Sequence, residues 1–144
     1  MTTVFDVAKY FLTHIGRMST WKLHKLCYYA QAWTLAWESR ELFPEEFQAW
    51  ANGPVCNDLF REHQGMYMIS KDELRVGNES NLTDTDKENV DVIITDYGDR
   101  EPYWLREQTH KEDPWVLARK GLPDNARSKN IITKESMGLY YGGL

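Results

Sequence analysis

Only two cysteines, Cys27 and Cys56, occur among 144 residues. That is too few for the disulfide framework of a small secreted domain, and it suits reduced thiols in a cytosol. No apolar run approaches the roughly 18–20 residues that a bilayer-spanning helix needs. The start, Met1-Thr2-Thr3-Val4-Phe5-Asp6, lacks the basic opening and small-residue cleavage site of a signal peptide, so a cytoplasmic protein without membrane contact is expected. Positive charge is also scarce, 17 basic residues against 22 acidic ones giving a formal net charge of −5. A broad nucleic-acid surface works by neutralising phosphates, and this balance disfavours one. The chain has no G-x-S-x-G, no phosphate-cradling glycine loop, no H-E-x-x-H and no C-x-x-C, so the common catalytic and metal signatures are missing.

What the chain does have is aromatic rings: 6 Trp, 8 Tyr and 5 Phe. Each buries 150–250 Å², so a few large side chains must supply most of the core or of an interface. The length suits one domain over residues 1–144, able to bury roughly 70% of its unfolded surface without metals or cross-links.

Placing residues at helical steps puts Val4, Phe5, Val7, Ala8, Phe11, Leu12 and Ile15 on one side of a first helix. Thr2 or Thr3 caps it, and Gly16 ends it. A second helix over Thr20 to Glu38 is apolar on two sides, one carrying Leu23, Leu26, Cys27, Ala30, Trp33 and Trp37, the other Trp21, Tyr28, Ala32 and Leu35. Such a helix is either central to the fold or half exposed to a partner. Phe47-Gln48-Ala49-Trp50 allows one short extended stretch but no sizeable sheet. Gly53 then precedes a third helix with Pro54 at its first position, Lys71 to Asn81 read as a surface loop, and Thr83 caps a fourth helix that stops at Gly98. Pro102 opens a fifth, Asp113-Pro114 caps and opens a sixth, and a last follows Thr133. About seven helices with at most one short extended segment make an all-α single domain.

Three candidate chemistries can be assembled from the residues. His24 and Cys27, one turn apart, with Cys56 and His63, would make four zinc ligands, but the two-turn gap from Cys56 to His63 spreads them too far, so no metal is expected. His24 is expected on the polar side of its helix, with Cys27 in the core. A hydrolase could use His110 with Asp113 or Glu112, yet nothing points to a third orienting group. At a helix C-terminus His110 is favoured in its protonated form, or equally locks the turn by hydrogen-bonding a free carbonyl. Nucleic-acid binding would draw on Lys22, Lys25, Arg119, Lys120, Arg127 and Lys129, against the acidic total. A binding protein without cofactor is the reading that remains.

Lys22-Leu23-His24-Lys25-Leu26-Cys27-Tyr28-Tyr29-Ala30-Gln31 resembles the K-L-x-K-L-x-Y-Y-A-Q helix of the Panacea family, the SocA-like or GepA-like phage-associated proteins. Ala49-Trp50 and Gly53-Pro54-Val55 are similar to that family's A-W…G-P-V element, and Thr109-His110…Pro114-Trp115 to its T-H…P-W junction. The three occur in family order, and the likeness runs from about Phe5 to Tyr141, leaving no room for the fused DNA-binding domain of some relatives. Cys27 stands where a larger aliphatic is usual, and Asn52 where an aromatic often precedes G-P-V. The resemblance implies a non-enzymatic antitoxin that neutralises a small toxin encoded beside it by direct binding. Alternatively, as in the SocA type, it implies an adaptor that delivers the toxin to the ClpXP protease. Within that reading the second apolar stripe locates the partner: Trp21, Lys25 and Tyr28 are expected to border the toxin-binding surface.

Overall fold

In a computed structural model that describes all 144 residues, the first helix, α1 (Val4–His14), opens on a reciprocal cap. The Thr3 hydroxyl accepts from the Asp6 amide and the Asp6 carboxylate accepts from the Thr3 amide, which satisfies two donors that a helix start leaves free. A short strand, β1 (Met18–Ser19), leads into α2 (Thr20–Glu38), where Ser19 caps the Lys22 amide. Thr83 and Thr133 cap α4 (Asp84–Tyr97) and α7 (Lys134–Gly142) in the same way.

Helix α2 is the axis of the molecule. Ten consecutive residues, Leu23 to Ala32, include every face of the helix, and all are buried, as are Thr20 and Thr34. A helix enclosed on all sides has to be central, and α7, α4, α1 and α5 (Pro102–Thr109) pack around it. Its aromatic residues tie these layers together. Tyr29 stacks on Tyr97 of α4 at 4.2 Å and 7°, while Tyr28 meets Phe47 and Tyr141 edge-on. Such pairs contribute ~0.5–1.5 kcal/mol each beyond their buried area.

The expectation of an all-α fold is overturned by two small antiparallel sheets. In the larger, β2 (Phe47–Trp50) lies between β3 (Gly53–Val55) and β5 (Ile131–Ile132); in the smaller, β4 (Met68–Ile69) pairs with β1. Helices still dominate. Four of the five strands are two or three residues long, too short to show a period of two, and their partners are distant in sequence, as with Phe47 opposite Ile132. Pro54 is likewise not the first residue of a helix. It sits in β3 opposite Ala49, on the edge of the sheet, where a residue without an N–H is tolerated. Helix α3 starts later, at Asn57, and runs to His63. Glu112 rather than Asp113 is the cap residue of α6 (Asp113–Ala118). No helix is long and apolar enough to cross a membrane.

Candidate functional site

Four segments meet around one lysine. Trp21 and Lys25, four residues apart, share a face of α2. The β2–β3 turn brings Asn52 and Gly53, α5 brings Pro102, Tyr103, Arg106 and Thr109, and the α5–α6 junction brings His110 and Trp115. Lys25 is 1% exposed, and its Nζ has no hydrogen-bond partner within the protein. The Trp21 ring centroid lies 5.3 Å from that nitrogen. Gly53 has φ +116°, and a Cβ there would stand 2.9 Å from Lys25 Cε and 3.2 Å from both Nζ and the Thr109 hydroxyl oxygen. Any side chain would be strained in backbone and blocked in space. An open pocket of about 250 Å³ borders the lysine, walled by Trp21, Asn52, Pro102, Tyr103 and Arg106.

Burial, with the neighbouring Arg106 guanidinium adding to it, lowers the Lys25 ammonium to about 7. Arg106 is itself paired: its Nη1 meets Glu107 at 2.8 Å, and its Nε donates to Asn52 at 3.4 Å. His110 stacks on Trp115 at 3.8 Å and 14°. Its expected protonation by the helix end is corrected by the structure, since burial and then Arg106 lower it to about 4, which leaves the ring neutral near pH 7. Trp115 in turn donates to the Trp50 carbonyl at 2.9 Å, and Arg119 stacks over it while donating to the Ala49, Pro123 and Ala126 carbonyls. Gly53, Pro54, Val55, Thr109, Pro114 and Trp115 are all buried. They form the scaffold that holds the β2–β3 turn against α5 and α6.

Of the three residues expected at a partner surface, Trp21 is half-buried on the pocket wall and Lys25 lines the same pocket from beneath. Tyr28 lies a turn deeper at 0% exposure, with its hydroxyl 3.2 Å from that of Tyr141. The zinc quartet does not form: no three His, Cys, Asp or Glu side chains are placed to share an ion. His24 is not on a polar face but buried, with Nε2 2.6 Å from Nε2 of His63. Its Nδ1 accepts from the Cys56 amide at 3.2 Å, so the Nε2 proton is its own, donated to His63. Burial pushes both rings toward the neutral form and both thiols toward the protonated form.

No hydrogen bond joins His110 to Glu112 or Asp113. The Glu112 carboxylate, buried without a cation, accepts from the Tyr29 and Tyr141 hydroxyls, each at 2.7 Å, and from Gln108 at 3.1 Å. Asp113 faces solvent. The basic residues are dispersed as well: Lys25 and Arg119 are buried, and Lys22 donates to the Gly98 carbonyl at 2.6 Å. Arg106 and Tyr103 escaped sequence reasoning. Their signal is the spacing Pro102, Tyr103, Arg106 on one side of α5, which has meaning only once Trp21 is known to face it.

A family model described as antitoxin SocA-like, Panacea domain, matches residues 23–116, about two thirds of the chain. The interval includes Lys25, Gly53 to Val55, and Thr109 to Trp115. No curated protein and no solved structure matches the chain significantly.

Proposed function

The chain belongs to the SocA-like, Panacea-domain antitoxin family, and from that membership we infer that it neutralises a toxin encoded beside it by binding that toxin directly. The observation that carries this reading is the convergence of the three family segments on one pocketed surface. Each contributes a residue around Lys25, and what rises beside them is aromatic: Tyr103 is 68% exposed and Trp104 37%, with Arg100 stacked on the Trp104 ring at 4.3 Å. Tryptophan, tyrosine and arginine are the side chains in which binding energy concentrates at protein interfaces. Trp21, Tyr103 and Trp104 border the toxin-binding surface, with Lys25 lying beneath it. Tyr28 serves the surface only by packing the inner side of α2 against Phe47 and Tyr141. The isolated groups His110, Glu112 and Asp113 fit structural roles, in keeping with a function that needs no chemistry.

Co-expression tests this. The neighbouring small protein, produced alone, should arrest growth, and co-production of this chain should restore it, equally well in cells lacking ClpXP. A neighbour that is harmless alone, or that stays toxic beside the folded chain, contradicts the antitoxin reading. Rescue that disappears without the protease replaces direct binding with the adaptor mode.

A further inference from the structure

We propose that the pocket between Trp21 and Tyr103 is a carboxylate-binding site, floored by Lys25 and flanked by Arg106 and Asn52, and that its ligand is a carboxylate presented by the toxin. The proposal rests on the antitoxin reading for the source of the anion, but the site itself is argued from this chain alone. Lys25 is the only buried lysine, and its nitrogen is enclosed with no acceptor from the protein. Ammonium groups are almost never buried without a partner, and the chain offers none: the only charge that acts on Lys25 is that of Arg106, of the same sign. His110, which also faces the lysine, is neutral. The nearby Thr109 hydroxyl is turned away, donating to the Arg106 carbonyl at 2.9 Å.

The pocket's contents define its ligand. Lys25, the Arg106 side chain and the Asn52 side chain border one opening walled by an indole, a proline and a phenol. Because Glu107 already offsets Arg106, the site has one uncompensated positive charge, which suits a monoanion rather than a phosphate dianion. The indole, proline and phenol on the walls lower the dielectric beside the ammonium and strengthen that pairing. Gly53 keeps the lysine's approach clear, since a Cβ would touch Cε and Nζ. The flexible four-carbon stem lets the ammonium rise to meet an anion seated between Arg106 and Asn52. Asn52 also borders a second depression whose rim carries Arg127 and Lys129, both exposed and neither in an ion pair. Two unpaired cations thus stand beside the same turn in a chain of net charge −5, which favours an acidic partner segment at this face.

The test is the titration of Lys25, followed by NMR at its ε-carbon in the full chain, with sodium acetate as the probe and sodium phosphate for comparison. Acetate should raise the Lys25 midpoint saturably by about 1 pH unit, the mark of a ~10-fold preference of the anion for the ammonium over the amine. Phosphate at equal ionic strength should raise it less, and Arg106→Gln should reduce the acetate shift. A midpoint that acetate leaves unmoved overturns the site, and a larger shift with phosphate overturns the carboxylate assignment. Lys25→Met, which keeps the stem's volume, should neutralise the toxin at least 10-fold less well. If that variant neutralises as well as the wild type, the toxin is not the source of the carboxylate, while the antitoxin reading stands. If the wild type neutralises nothing yet acetate binds, the antitoxin reading fails and the site survives.

Discussion

Replacing Lys25 by methionine should make the protein more stable near neutral pH, and the gain should fade as the pH rises. In the fold the ammonium loses its proton near 7, against 10.5 in its ordinary state. Below about 7 both folded and unfolded chains hold the proton, and the full cost of burying the charge applies. Between about 7 and 10.5 the unfolded chain binds more protons than the folded one, so the lysine's contribution to stability becomes less unfavourable by up to ~1.4 kcal/mol per pH unit. Integrated, the unfavourable contribution is roughly 4 kcal/mol at pH 7 and roughly 2 kcal/mol at pH 9. Methionine has neither the charge nor the donor and keeps much of the shape, and replacing buried ionic groups by apolar ones is often stabilising by about 1–4 kcal/mol. Urea unfolding of wild type and variant across this pH range measures it, provided the slope with denaturant is unchanged. The difference between the two proteins is the relevant quantity, because the buried tyrosines and thiols, all pushed up by burial, lower the stability of both equally at high pH. Stability curves that run parallel, or a Lys25→Met protein less stable at neutral pH, would refute the picture of an unpartnered buried ammonium.

Glu112→Ala strands the Tyr29, Tyr141 and Gln108 donors in the core and should cost about 3–5 kcal/mol in urea unfolding; a loss under about 1 kcal/mol contradicts the network. Gly53→Ala should cost about 2 kcal/mol or more, because its φ of +116° and its contact with Lys25 are both violated. Gly16→Ala, with φ +106° but nothing within 4 Å, should cost only about 1 kcal/mol, so equal losses by calorimetry would exclude the close contact at Gly53. His24, His63 and His110 are held below their ordinary value of 6.5, so their neutral forms favour the fold above that pH and the benefit is lost on acidification. His110→Phe, which keeps the stack on Trp115, should therefore move the acid unfolding midpoint to lower pH, and an unchanged midpoint contradicts a neutral, enclosed ring.

How far the structure was legible depends on how local its causes are. Helix α2 runs from Thr20 to Glu38 as its periodicity indicates, and Thr3, Thr83 and Thr133 cap helices where expected, because caps and periodicity are set within a few residues. The sheets were not legible, since a two-residue strand such as Ile131–Ile132 exists only through a partner far back in the chain, Phe47 with Ile132 in one pair and Gln48 with Ile131 in the next. Gly53-Pro54 carried turn chemistry that suits a helix start as well as a strand edge, and only the pairing with Ala49 and Trp50 decides between them. Lys25 was visible as a motif residue but not as a buried one: helical spacing says which residues share a face, not that α5 and the β2–β3 turn will close over it. Glu112 gave no sign of its role, its tyrosine partners being 83 and 29 residues away.

Direct neutralisation is tested most squarely with two purified proteins and no protease. This chain and the neighbouring toxin, mixed and followed by calorimetric titration alongside the toxin's own activity, should form a saturable stoichiometric complex in which that activity is lost as the sites fill. Trp21→Ala should weaken the complex by at least ~1.4 kcal/mol, a tenfold loss, while melting close to wild type. An active toxin that shows no heat of binding in the presence of the folded chain would contradict the account.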